Sequence, residues 1–262
     1  MEPREFLNTP EGFAEIIERE EGIIEKNFDD IFRCEDAQIK GIQLYHSNNR
    51  SVILTSRDFI TTHSLTLIFA KYSAGLLIED IKKNFIVALQ EKTKVCEQTS
   101  LDNYSFRGSE PFYDIDEYWE IMQMLALGIL LDVNEQESAQ LLFIRDKVAT
   151  PDIILDFLCS YYDKRKVGFN HAIGDKYNGL AQFIKECTPE NAPTFMKTYL
   201  SKQWFKDYKR QDFMTTHNSK YNIHSGYWSF ESGAIMKILQ ADDAILKDQQ
   251  FYPYDMVHWQ KI

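Results

Sequence analysis

The chain has 262 residues, of which 44% are hydrophobic and 14% aromatic, and a formal net charge of −11. That length buries a sizeable core and that composition is globular, which excludes a chain disordered throughout. The charge argues against nucleic acid and against an anionic membrane surface as direct partners, since both present phosphate.

Thr9-Pro10-Glu11 predicts a helix start: a capping hydroxyl, a proline suited to the first turn, then an acid. Phe13, Ile16, Ile17, Ile24 and Phe28 follow at helical spacing. Residues 34–51 are less regular, and Ser47-Asn48-Asn49 reads as loop. A second helix is expected from about 55 to 73, with Leu65, Ile68, Phe69 and Tyr72 on one face and Gly75 placed to end it. Ile78, Ile81, Phe85 and Leu89 repeat the pattern. Residues 99–113, with Asn103, Gly108 and Pro111, read as a polar connection. Asp114 is suited to cap a helix whose apolar face carries Tyr118, Ile121, Met122, Leu125, Ala126 and Ile129. Asn134 with Glu137 has capping-box spacing, and Thr150-Pro151-Asp152 is a further start. Helices follow near 176–187 and 189–202, then a polar and aromatic connection over 203–224. A strong helix over about 226–239 and a short one from Asp242 close the chain.

No strand series and no alternating βα order appears, so the expected class is all-α, with antiparallel helical hairpins packed in a bundle-like array. The polar connection divides it into an N-terminal helical domain, 1–110, and a C-terminal one, 111–262. No apolar run reaches the roughly 20 residues of a membrane span, and the first residues do not resemble a secretory signal. Cys34, Cys96, Cys159 and Cys187 lie far apart without CxxC spacing, so they read as free, mostly buried thiols of a reducing, cytoplasmic compartment.

The negative charge is concentrated. Residues 1–60 carry −6 and residues 101–140 carry −8, against +1 over 61–100 and +2 over 141–262. Such blocks suit a basic partner, although acidity also serves solubility alone. Two clusters stand out: Asp29, Asp30, Glu35 and Asp36, and Glu110, Asp114, Asp116, Glu117 and Glu120. Acids at a helix start also favour the positive end of the dipole, so a solvated helix start competes with a protein-binding surface.

Catalytic signals are weak. There is no glycine-rich phosphate loop, no GxSxG elbow and no HExxH pair. His217, His224 and Glu231 are a conceivable metal set within a loop-like stretch, and Asp114, Asp116, Glu117 and Glu120 a conceivable metal or acid–base cluster for which a solvated helix start is the simpler account. Cys159 lies in an apolar helical segment with no activator nearby in sequence. The chain is therefore read as a non-enzyme, with no cofactor and no metal site.

The most distinctive stretch packs Tyr227, Trp228 and Phe230 before a regular helix, where aromatics usually fill a core. The series Gly226-Tyr227-Trp228-Ser229-Phe230-Glu231, then Asp242-Asp243, then Tyr252-Pro253-Tyr254-Asp255 resembles the C-terminal domain of the PoNe immunity proteins (PoNi). Upstream, Arg57-Asp58, Tyr72-Ser73-Ala74-Gly75 and Ile78-Glu79-Asp80 are similar to the family's N-terminal domain, so the resemblance spans roughly residues 10–258. It implies an all-helical, non-catalytic protein that binds a secreted antibacterial toxin, with a DNase domain of the PD-(D/E)xK class, and protects the producing cell. No family motif marks the contacting residues, so the two acidic clusters are the expected contacts and the aromatic motifs the expected framework. Self-association stays open. The alternatives are a helical scaffold or regulator with another partner, and a metal-dependent hydrolase using His217, His224 and Glu231.

Overall fold

The computed structural model describes residues 2–101, 115–147, 150–171, 176–208 and 216–260. Among them every regular element is helical and there is no strand. The chain divides into two compact units: Met1–Gly108 with Lys220–Gly226, and Ser109–Ser219 with Tyr227–Ile262.

The first unit is built on three long helices, α1 (Pro10–Ile39), α2 (Asn49–Ser73) and α3 (Ile78–Leu101). Thr9 caps α1 by accepting from the Gly12 amide at 3.0 Å. α1 ends at Gly41, whose positive φ of 68° allows the Ile42 amide to reach back to the Ala37 carbonyl at 2.9 Å. α2 begins six residues before the expected 55, because the Asn48 side chain accepts from the Ser51 amide and starts the helix inside the polar stretch. Arg57-Asp58 therefore lies within α2 rather than at its start.

Consecutive helices run antiparallel, as the cross-links show. Arg57 of α2 pairs with Glu35 late in α1, whereas His63, further along α2, meets Glu20 early in α1. Arg57 and Asp58 meet Glu91 and Lys92 of α3, and Lys71 meets Asn84. Ile31, Cys34, Ile53 and Ile60 form one buried cluster between these helices. Each of the three isoleucines contributes about 1.5–3 kcal/mol by leaving water.

Two extended segments complete this unit. Arg4 stacks over Tyr72 at 4.6 Å and donates to the Tyr72 and Leu76 carbonyls, placing a cation at the negative end of α2. Residues 220–226 lie along the start of α1. Asn222 donates to the Gly12 carbonyl at 2.8 Å and to Glu15 at 2.9 Å, and its own carbonyl accepts from Arg19 at 2.7 Å. His224 is buried and donates to Glu5 at 3.0 Å, and Ser73 donates to the Ser225 carbonyl.

The second unit is organised around α4 (Ile115–Leu130), which is buried on nearly every side from Tyr118 onward. A helix apolar all round belongs at a core. α5 (Glu135–Asp146) starts on the expected Asn134–Glu137 capping box. α6 (Ile153–Cys159) is capped by Asp152. α7 (Asn178–Glu186) and α8 (Ala192–Tyr199) follow. A π-helical turn, Leu200–Trp204, leads into α9 (Phe205–Tyr208), so the connection expected from 203 is helical at its start. α10 (Phe230–Leu239) packs on α4, and Lys237 donates to the Ile129 and Leu130 carbonyls at its end. Residues 226–229, expected to be helical, are not, because the Ser229 amide is held by the Phe251 carbonyl. A 3-10 turn, Ala244–Leu246, stands where a short helix from Asp242 was expected, and α11 (Tyr254–Val257) closes the unit.

Candidate partner-binding surfaces

The acids of the first cluster sit in the last three turns of α1. Asp36 in the last turn, with Glu35 just before it, faces the negative end of that helix dipole with no base in the last turn, an arrangement that costs about 0.3–1 kcal/mol per exposed charge. Local partners offset part of this. Asp30 accepts from the Tyr45 hydroxyl at 2.6 Å, which holds the phenol above its usual range. Glu35 accepts from Arg57 at 2.8 Å, and Asp36 pairs with Lys40 at 2.7 Å. Asp29 is exposed and takes part in no ion pair among the described residues.

The second cluster behaves differently. Glu110 and Asp114 lie outside the described residues. Asp116 and Glu117 are exposed in the first turn of α4, where the dipole favours them. Glu120 is only 8% exposed, because its position turns onto the buried side of α4. It does not share a solvent surface with the other two.

The aromatic motif is framework built around a buried carboxylate. Glu231 opens α10 fully enclosed and accepts from Trp204 Nε1 at 2.8 Å, Gln123 Nε2 at 3.0 Å and Ser229 Oγ at 2.7 Å. Burial pushes its pKa above 4.5, and the three donors offset part of that shift. Tyr227 packs on Phe205 and receives His217 Nδ1 against its hydroxyl at 2.6 Å. Trp228 and Phe230 are buried beside it. Tyr252 donates to Asp243 at 2.6 Å, and His258 meets the other oxygen of the same carboxylate at 2.8 Å. Pro253 is buried against Gly233, and Tyr254 lies 4.1 Å from the His258 ring. Asp255 is exposed in the first turn of α11. Trp204 and Gln123 were not singled out in the sequence, whereas Asp243 stood in the Asp242-Asp243 pair; an isolated Glu inside an aromatic run was the available signal for the carboxylate network.

The structure does not assemble the chemistry weighed from sequence. His217 is engaged by Tyr227, His224 by Glu5, and Glu231 by Trp204, Gln123 and Ser229, so the conceivable metal set is divided among three separate networks. Among the described residues no group of three or more His, Cys, Asp or Glu is placed to hold a metal ion. Cys159 is fully buried, and burial pushes its thiol up to about 12, against what a nucleophile requires. A cleft of about 470 Å³ between α1 and α2 is lined by Lys26, Asp30, Ser56, Phe59 and His63 among others, and is open to solvent.

Comparison with known proteins gives a consistent picture. Residues 4–143 match the family model described as PoNe immunity protein (PoNi), N-terminal, and residues 150–256 match that described as PoNe immunity proteins (PoNi), C-terminal. The border between the two matches lies inside the second compact unit. No curated protein matches the chain. The crystal structure of protein PA2201 from Pseudomonas aeruginosa superposes with a TM-score of 0.64 at 15% identity, covering 98% of this chain and 89% of that one. At that identity the likeness is one of fold.

Proposed function

The chain belongs to the PoNe immunity protein family, which implies immunity to a polymorphic nuclease toxin, and from that premise we propose that it binds its cognate toxin's DNase domain and blocks it stoichiometrically. The observation that carries this reading is the pair of family matches, which together span nearly the whole chain.

Electrostatics supports it. A DNase holds DNA through a basic surface, and an acidic protein is drawn to such a surface and competes with phosphate there. The chain carries −11 overall, and α1 alone holds ten acids against three bases. Asp29, Asp30, Glu35 and Asp36, with Asp116 and Glu117, are the candidate contacts. In this reading inhibition is by occlusion of the DNA path or the active site, with no reaction on the inhibitor's side. Action in the producing cell's cytoplasm fits free cysteines, three of them buried. Among the described residues no helix is long and apolar enough to cross a membrane.

The test mixes the purified chain with the purified toxin domain encoded beside its gene, and measures binding and DNA cleavage together. Saturable binding that abolishes cleavage at equimolar protein is the expected result. Two folded proteins that neither bind nor affect cleavage would refute the pairing.

A further inference from the structure

We propose that the solvent face of α1 is the surface on which the toxin docks, with Phe32 and Ile39 as apolar anchors and Glu18, Glu25 and Asp29 as the acidic rim. The partner's identity rests on the immunity reading; the face is defined by α1 itself.

Residues seven apart on an α-helix drift by only roughly 20° per step, so they line up along one side. In α1 that line reads Glu11, Glu18, Glu25, Phe32, Ile39, and all five are exposed. Phe32 is 73% and Ile39 87% exposed, and Phe28, beside them, is 38% exposed. The opposite side of the same helix already buries Phe13, Ile16, Ile31 and Cys34. Phe32 and Ile39 therefore add little to this core. Single exposed apolar residues are ordinary on any protein. Here three share one side of one helix over roughly 16 Å, at 1.5 Å per residue.

Charge selects the occupant. Glu18, Glu25 and Asp29 form no ion pair among the described residues, so they are available to a cation brought from outside. With ten acids and three bases, α1 would repel a second copy of itself laid along it. A basic protein surface with an apolar centre is complementary to it, and the DNA-binding side of a DNase is basic by necessity. Asp116 and Glu117 have a sufficient explanation at the start of α4, whereas Glu18, Glu25 and Asp29 stand in the body of α1, beyond the reach of its positive end and without an ion pair among the described residues.

The experiment uses the full-length chain and the purified toxin domain, with association and dissociation rates measured at several salt concentrations. Three variants are compared: Phe32→Ala with Ile39→Ala; Glu18→Lys, Glu25→Lys with Asp29→Lys; and Asp116→Lys with Glu117→Lys. All these positions are exposed, and unchanged thermal midpoints check the fold. The anchor variant is expected to dissociate at least about tenfold faster. The α1 reversal is expected to associate about tenfold more slowly at low salt, with a flattened salt dependence. The α4 pair is expected to change either rate less. Wild-type rates in both α1 variants, a loss carried by the α4 pair instead, or a homodimer in sedimentation that the anchor variant dissociates would each overturn the docking face. A wild-type chain that does not bind the toxin removes the immunity pairing and this inference with it. Wild-type binding with unaffected α1 variants removes only the docking face.

Discussion

Glu231 and Trp204 meet in the core of the second unit, where the indole Nε1 donates to the carboxylate at 2.8 Å and both side chains are buried. Gln123 and Ser229 donate to the same carboxylate, so one side chain gathers donors from α4, the π-helical turn and the residue preceding α10.

Replacing Glu231 by Ala removes a carboxylate that accepts from three buried donors and is expected to cost about 3–5 kcal/mol. Glu231→Gln keeps one oxygen for Trp204 and Ser229 and is expected to cost about 1–2 kcal/mol. Urea unfolding of both variants measures this. The pH dependence follows from the raised pKa. Between 4.5 and the folded value the native state holds more protons than the unfolded one, so this group's contribution is fully present below 4.5 and is lost as pH rises through the folded value. Wild type should therefore lose stability relative to Glu231→Gln over that window.

A second network pairs a histidine with a buried carboxylate. His171 Nδ1 faces Asp152 at 3.2 Å and its Nε2 faces the Lys176 carbonyl, so both nitrogens meet acceptors and the imidazolium is satisfied. Burial alone would lower its pKa; the two hydrogen bonds and the Asp152 charge outweigh burial and hold it above 6.5. Its stabilisation is present in full below 6.5 and is lost as pH rises through the folded value. Thermal melts of wild type and His171→Ala should differ most at pH 6 and below and converge as pH rises. A constant difference across that range would contradict this assignment.

Arg57 bridges Glu35 of α1 and Glu91 of α3 from its place on α2. Glu91 is 3% exposed in its side chain, whereas Glu35 is 50% exposed. Arg57→Leu leaves Glu91 with Lys94 alone and is expected to cost about 3 kcal/mol. Glu35→Ala removes only an exposed partner and is expected to cost less than about 1 kcal/mol. Equal losses in denaturant titrations would show that the bridge is not divided in this way.

Gly75 ends α2 with φ at +83°, and a Cβ there would sit 2.2 Å from the Glu2 carbonyl oxygen. Gly75→Ala combines left-handed strain with a clash against backbone and is expected to destabilise by about 1–3 kcal/mol. The adjoining Arg4 segment should become more accessible to proteolysis at the same time. Loss of stability without that exposure would place the strain elsewhere.

The helices were legible where local chemistry decides them. Thr9 with Pro10, Asn134 with Glu137, and Gly75 mark the expected boundaries because their effects act within a few residues. Boundaries moved where a longer-range group intervened. Residues 226–229 carry a helix-like apolar pattern, yet the Phe251 carbonyl holds the Ser229 amide and delays α10 to Phe230. The same holds for the sites. The aromatic run identified a core, but Gln123 lies 108 residues and Trp204 27 residues from Glu231, beyond any local pattern. Glu120 looked equivalent to Asp116 and Glu117 in sequence; one turn of helix placed it on the buried side.

The strap at 220–226 bears on how such genes can be inherited. Asn222 and His224 belong by sequence to the C-terminal family match, yet they complete the unit that holds Gly12, Arg19 and Glu5. A crossover between two related genes near residues 143–150 would join a new N-terminal half to a strap that evolved against another one. Such chimaeras would begin life with mismatched bonds at the start of α1, the helix proposed to meet the toxin. The two halves are thus expected to descend together, and new specificities to arise by point substitution on a conserved pairing rather than by exchange of halves.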